Sequence, residues 1–422
     1  MPDIRIPTTE GHVPAKRRPD PPMYPGGMAI DREEEQAVLE VLRTKRLFRY
    51  YGPAEGESKV ASLEKAFAQF MGAEYAVAVN SGTSALISGL QGLGVGPGDE
   101  VIVPAYTWIA SAAAVLTVGA IPVIAEVDSS LTLDPEDVRS RITPYTKAIM
   151  PVHMRGAPCD MKSILEIARE YGLKVLEDTA QADGASYGGR RLGSMGDAGC
   201  FSLQFNKIIT SGEGGMVVTG DEEVWRRALM FHDVIGASQA GIPREQMLWG
   251  ANFRMPELLA AVAGVQLRRL PELLEAMRVR KRQLKEGIAA VALEHGFEFR
   301  RLHDEEGDAA ICLICYAPDA AQASRTAAAL RSENIGAGTL YHPEQTDHHV
   351  YAHWDSILDK RAWTALGSPW AAAQRDIQYA RDMCPRSLDW LARAVHVDVS
   401  PSLTNEDLEE TVEGFHRVLA GQ

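Results

Sequence analysis

The sequence predicts an α/β protein: a mostly parallel sheet covered by helices on both faces, followed by a smaller C-terminal α/β domain. Three observations carry this. From about Glu57 to Gly220 the chain alternates helical and strand-like patterns. The strands of that stretch are short and apolar throughout, as strands buried on both faces are. After Gly220 the pattern changes to long helices with a few further strands, enough material for a second core.

Taken in order, "KVASLEKAFAQFMG" is an amphipathic helix ended by Gly72, and "YAVAVN" a short strand. "SGTSALISGLQGLG" opens on small residues and becomes a helix, and "GDEVIVPAY" is a turn and strand. The apolar run from Trp108 to Ala125 contains Ser111, Thr117, Gly119 and Pro122 and is short for a membrane span, so it reads as a buried helix and then a buried strand. In "DPEDVRSRI", Asp134 is the expected N-cap, with Pro135 at the first helical position. "TKAIMPVH", "DMKSILEIAREYG", "KVLED", "GCFSLQ" and "GGMVVTG" continue the alternation. The long helical stretch that begins at "MPELLAAV" contains Pro271, which is expected to kink or divide it. "AAICLICYAP", "AAQASRTAAALRSENIG" and "AVHVDVS" supply the second domain. The expected division is an extended, proline-rich arm over 1–30, a large domain over 31–270 and a small domain over 271–422.

The 422 residues, 45% hydrophobic and 24% charged, suffice for two cores. Against 57 Asp and Glu stand 43 Lys and Arg, and the formal charge of −14 opposes attraction to phosphate backbones or anionic lipid. Neither nucleic acid nor a membrane is expected as a partner. The opening residues lack the apolar core of a secretory signal. Five scattered cysteines, an odd number, point to a reducing cytoplasm. Cys312 and Cys315 have half of a zinc spacing, but residues three apart in a strand face opposite sides of the sheet. They read as core residues, and no metal is expected.

Four features fall at the carboxyl ends of expected strands, where an open α/β sheet gathers its ligands. Ser81-Gly82-Thr83-Ser84 opens a helix after a strand, so that backbone N–H groups and hydroxyls can face an anion; alone, it is an ordinary N-cap. Glu177-Asp178 ends the strand "LKVLED", with Gln181 following; alone, such a carboxylate caps a helix, but it can also hold a proton on a heterocyclic nitrogen. Ser202 lies in "CFSLQ". Lys207, in "FNKIITSGEGG", is a charge within an apolar run; alone, it is a snorkelling surface lysine, but desolvation would free its amine as a nucleophile. No Gly-rich nucleotide fingerprint is present. Together the four supply what pyridoxal phosphate needs: an acid for the ring nitrogen, an amine for the Schiff base and donors for the phosphate. Trp108, after another strand, suits one face of the ring, as well as a place in the core.

The segments "VNSGTSAL", "GPGDEVIVPAYTW", "IMPVHMRGAPCDM", "EDTAQADGASYGGRRLGSMGD", "FSLQFNKIITSGEGGMVVT" and "NFRMPELLAAVAGVQL" resemble, in order and spacing, the DegT/DnrJ/EryC1/StrS family of pyridoxal-phosphate-dependent sugar and cyclitol aminotransferases. The resemblance covers about Gly52 to Leu267. It implies fold type I, with a seven-stranded sheet in the large domain. It further implies that Lys207 bonds to the cofactor, that Asp178 faces the pyridine nitrogen and that Gln181 lies on the phenolic-oxygen side. Ser81, Gly82, Thr83 and Ser202 would hold the phosphate, and Trp108 would stack on the ring. Asn252 would reach the phosphate of the neighbouring subunit, so that a homodimer shares its active sites. Family members that dehydrate sugars carry histidine at the lysine position; lysine here favours transamination from glutamate or glutamine to a keto-sugar or cyclitol ketone. "TWIA" and "PVHMRG" look most like the cyclitol and aminohydroxybenzoate branches.

Two stretches depart from the pattern. "RLFRYYGP" puts Arg49, Tyr50 and Tyr51 at the expected mouth of the site. "LYHPEQTDHHVYAHW" gathers His342, His348, His349 and His353, with His342 taken as a substrate contact. Within the family the alternatives are an aminohydroxybenzoate-synthase-like or dehydrase-like lyase. Outside it stands a catalytically silent regulatory or assembly paralogue, against which Lys207 with Asp178 argues, since packing demands neither.

Overall fold

The computed structural model describes residues 13–22, 25–50, 57–364 and 367–421. Among the described residues nine strands precede the long helices: β1 (Tyr75–Val79), β2 (Glu100–Pro104), β3 (Ile121–Ala125), β4 (Thr146–Ile149), β5 (Lys174–Asp178), β6 (Ser186–Tyr187), β7 (Arg190–Arg191), β8 (Ala198–Ser202) and β9 (Gly215–Thr219). Seven of them form one sheet in the order β1-β9-β8-β5-β4-β2-β3. Only β9 runs against its neighbours, β1 and β8; the other contacts are parallel. Every residue of β2, β3, β8 and β9 is buried, which is why these strands read as unbroken apolar runs rather than alternating ones.

Local signals behave as their chemistry requires. The helix Lys59–Met71 stops at Gly72, which takes φ 70°, and Asp134 accepts the Glu136 N–H at 2.9 Å at the start of Pro135–Arg141. The apolar run after Trp108 resolves into the helix Ala110–Thr117 and β3. Among the described residues no helix is long and apolar enough to cross a membrane.

Of the two effects expected of Pro271, a kink or a division, the division does not occur. One helix runs from Glu257 to Glu294 with the proline inside it. Leu267, Leu270, Leu274 and Met277 are buried on both sides of Pro271, and the helix packs on Arg32–Thr44, Lys59–Met71 and Asn405–Ala420. Tertiary burial thus holds together a helix that has lost one internal hydrogen bond. The boundary expected at 270 falls within it.

The second sheet contains β10 (Glu298–Phe299), β11 (Cys312–Tyr316), β12 (Ala337–Thr339) and β13 (Ala394–Asp398), all antiparallel in the order β10-β11-β13-β12. Cys312 and Cys315, both in β11, are buried and free, as are the other three cysteines. Within the segment read as an extended arm, Pro25–Met28 is helical, and residue 16 is docked on the small domain. The Lys16 ammonium, wholly buried, donates to the Asp407 carbonyl at 3.3 Å and to Thr411 Oγ1 at 3.2 Å.

Candidate active site

The carboxyl ends of β2, β4, β5 and β8 lie along one edge of the large sheet, and the site is built there. Glu177 and Asp178 end β5 and, as consecutive strand residues, face opposite ways. Glu177 is fully buried and accepts from His153 Nε2 at 3.0 Å and from the N–H groups of Gly193, Met195 and Gly196 at 2.7 Å each. It is a structural anchor. Asp178 Oδ2 accepts from Ser111 Oγ at 2.7 Å and Oδ1 from the Ala180 N–H at 3.1 Å. Burial pushes the Asp178 carboxyl above its ordinary value, opposed by the Ser111 bond, the Ala180 bond and the charge of Lys207.

Lys207 sits in a loop closed on itself after β8. The Leu203 N–H donates to Gly214 O at 2.9 Å, the Phe205 N–H to Gly212 O at 3.0 Å and the Lys207 N–H to Gln204 O at 3.0 Å, while Ile208 and Ile209 are buried. Burial holds the ammonium below its ordinary value, and Asp178 and then Asp183 resist the shift. Lys207 and Asp178, both chosen from sequence, thus act on each other through their charges, with no direct ion pair between them.

Gly82 and Ser202, both expected at a phosphate, lie against each other. Ser81 caps the helix Gly82–Gly92 by accepting the Ser84 N–H at 3.1 Å. A Cβ added to Gly82 would lie 2.7 Å from Ser202 Cβ, so the helix start and the end of β8 touch only because residue 82 is glycine. Thr83 is exposed beside them. The set fits pyridoxal phosphate: a desolvated amine, a buried carboxyl and a helix N-terminus backed by a serine hydroxyl.

Gln181 Oε1 accepts the backbone N–H of Arg155 at 3.0 Å. Because that N–H can only donate, the amide is oriented, and its NH₂ has no acceptor among the described residues. Trp108 is 46% exposed, open to a planar ligand, and its indole meets the His348 ring edge-on at 5.9 Å and the His349 ring at 4.9 Å. The histidine-rich stretch is hydrogen-bonded beside it, with the Thr107 N–H on His349 O and the Ile109 N–H on His348 O, both at 2.9 Å. His342 is occupied in a turn of its own, accepting the Glu344 N–H at 3.1 Å.

Arg49 forms a two-point ion pair with Glu64, one contact of which is 2.8 Å, and Tyr50 packs edge-on against Phe48 at 5.5 Å. Tyr51 lies outside the described residues. Asn252 is exposed, one residue from Phe253, whose carbonyl accepts the Asn80 N–H at 2.8 Å. It thus stands at the rim of the cradle.

Sequence reasoning missed Ser111, Tyr106, Arg155 and Asp183. Asp183 is fully buried, and neither of its carboxyl oxygens has a partner among the described residues. Burial pushes this carboxyl well above its ordinary value against the charge of Lys207. The available signals were an acid in "QADGA" and an arginine in "HMRGA" just beyond strand ends.

The model of the DegT/DnrJ/EryC1/StrS aminotransferase family matches residues 28–365. GDP-perosamine synthase of Caulobacter vibrioides is 45% identical over 58% of this chain and 65% of its own length. The spore coat polysaccharide biosynthesis protein SpsC of Bacillus subtilis is 33% identical over 93% of this chain and 96% of its own. The crystal structure of 3-amino-5-hydroxybenzoic acid synthase superposes with a TM-score of 0.78 at 28% identity, over 96% of this chain and all of that one.

Proposed function

Because the chain belongs to the DegT/DnrJ/EryC1/StrS aminotransferase family, we propose that it moves an amino group from glutamate or glutamine to a keto-sugar or cyclitol ketone, as a pyridoxal-phosphate enzyme. The observation that carries this reading is the interaction of a desolvated Lys207 with the buried Asp178 beside the Gly82–Ser202 cradle. Bound there, pyridoxal phosphate supplies an electron sink for the charge left when an α-proton departs. Lys207 takes and returns that proton, for which a neutral amine is required. Asp178 holds a proton on the ring nitrogen. Ser81, Gly82, Thr83 and Ser202 bind the phosphate, Gln181 donates its NH₂ to the phenolic oxygen, and Trp108 covers one face.

Asn252, exposed at the rim, serves the phosphate of a second subunit in the homodimer we propose. Five buried, free cysteines support a cytoplasmic setting. Likeness to 3-amino-5-hydroxybenzoic acid synthase supports a second reading, a lyase that forms an aromatic amino acid.

The test is spectroscopic. Protein loaded with cofactor should lose its visible band on addition of L-glutamate or L-glutamine, and one of a panel of keto-sugars and inososes should restore it. A loaded protein whose band no amino donor alters would overturn the reading. An aromatic chromophore growing in from a carboxylated ring ketone would favour the lyase.

A further inference from the structure

Arg155 lies where the two domains meet. Its backbone is in the left-handed region, φ 54° and ψ 36°, uncommon for a residue with a Cβ. The turn is held from the small domain by Arg300 Nη2, which donates to Met154 O at 2.8 Å, and by the Ala309 N–H, which donates to Gly156 O at 3.0 Å. From the large domain, Gln181 takes the Arg155 N–H, and the Arg155 Nε donates to Tyr106 Oη at 3.1 Å. The side chain is therefore fixed at its root and at Nε.

The two terminal nitrogens are not used. They make no hydrogen bond among the described residues, and no carboxylate there approaches within ion-pair distance. Arg300 offers the contrast: it is 7% exposed and places its nitrogens on the carbonyls of Ser130 and Met154, as an arginine that only ties a structure together does. The acids near Arg155 are otherwise engaged or distant: Asp347 accepts from His349 Nδ1 at 2.8 Å, and Asp398 acts on the guanidinium without a bond to it. The charge of Arg155 also opposes protonation of Lys207, after the larger effects of burial, Asp178 and Asp183. A permanently charged, half-buried fork near the reactive amine thus has no carboxylate bonded to it among the described residues. The phosphate cradle is at a different helix, so Arg155 is left for a second anion.

We propose that Arg155, oriented by Tyr106 and by the turn at Gly156, binds the α-carboxylate of the amino donor and so sets the donor's α-proton within reach of Lys207. A planar guanidinium with two free N–H edges matches a carboxylate in two-point contact. This inference rests on the aminotransferase reading and assigns that reaction's donor subsite.

The test uses the full chain loaded with pyridoxal phosphate and follows the visible band. Arg155→Met should raise the concentration of L-glutamate and of L-glutamine needed for half-maximal loss of the band about 10- to 100-fold, with a smaller change in the rate at saturation. L-glutamine carries the α-carboxylate as its one anionic group, so the two donors separate that carboxylate from the side-chain one. Arg155→Lys keeps the charge without the fork and should fall between wild type and Arg155→Met; it also serves if the methionine variant does not fold. Loss with glutamate alone would place Arg155 at the side-chain carboxylate and overturn the proposal. So would unchanged half-saturation for both donors, or a defect confined to the return reaction with a ketone acceptor. A wild-type band unmoved by any donor would remove the aminotransferase reading and this subsite with it, a result distinct from a selective failure of the variants.

Discussion

Ser111 Oγ donates to Asp178 Oδ2 at 2.7 Å, and Thr107 Oγ1 lies 2.7 Å from the same Ser111 oxygen, so the acid at the end of β5 is steadied by the start of the helix after β2. The bond favours the ionised carboxylate, the form able to hold a proton on a ring nitrogen. Ser111→Ala should therefore raise the Asp178 pKa further and move the acid limb of the pH–activity profile to higher pH, with cofactor still bound. Loss of one hydrogen bond to a charged group is worth about 1.5–3 kcal/mol. An acid limb at the wild-type position would mean that Ser111 only packs. Asp178→Asn should bind cofactor and lose most activity at every pH.

Gly82 against Ser202 gives a steric prediction. Alanine at 82 would bring its Cβ within 2.7 Å of Ser202 Cβ, and a clash of this kind costs about 1–3 kcal/mol in a packed site. Gly82→Ala should lower the melting temperature of the cofactor-free protein and weaken cofactor retention in dialysis by at least roughly tenfold. Retention equal to wild type would dissociate the cradle from the phosphate.

Asp183 makes a prediction about stability. Its folded pKa is raised, so the folded state binds this proton more tightly than the unfolded chain. Its contribution is most favourable below the unfolded value of about 3.9 and is lost as pH climbs from there through the folded value. Asp183→Asn removes that loss. In cofactor-free protein the variant's advantage in melting temperature should grow between pH 4 and pH 8, to an equivalent of about 1–3 kcal/mol. An advantage that stays flat or shrinks over that range would show that the carboxyl is partnered.

Mixing subunits tests the shared site. In a dimer of one Asn252→Ala chain and one Lys207→Ala chain, each mutation falls in a different site only if Asn252 acts in cis. If it acts in trans, both fall in one site and leave the other wild-type in composition. Recovered activity after demonstrated subunit exchange supports action in trans; activity no higher than that of the parent variants would assign Asn252 to its own subunit's cradle.

Much of the fold was legible because local chemistry and tertiary environment agree in it. Gly72, Asp134 and Pro135 each act within a few residues of themselves, and the buried strands announce themselves by composition. That Pro271 does not divide its helix was hidden because this is decided by partners distant in sequence, the helices Arg32–Thr44 and Asn405–Ala420. In the site, Lys207 and Asp178 stood out as charges in apolar runs. Arg155 did not, since its unused nitrogens are visible only once Tyr106 and Gln181 are seen to fix the rest of it. His349 beside Trp108 was equally hidden, because four histidines in one stretch look alike until the chain is folded.

The burial of Lys16 against Asp407 and Thr411 bears on how the protein is made. During synthesis, Lys16 has Asp20 at hand four residues on, but its contacts with Asp407 and Thr411 wait for a segment that leaves the ribosome almost four hundred residues later. The large sheet imposes a shorter delay: among the described residues β1, at its edge, has only β9 beside it in the sheet, so this strand waits for residues 215–219 to emerge. Such long-range closures slow folding and leave strand edges exposed meanwhile. Vectorial synthesis would therefore complete the large sheet first and the small domain only once residues 405–420 have emerged, and a ribosome stalled before residue 400 would carry a chain whose Lys16 has yet to meet Asp407 and Thr411.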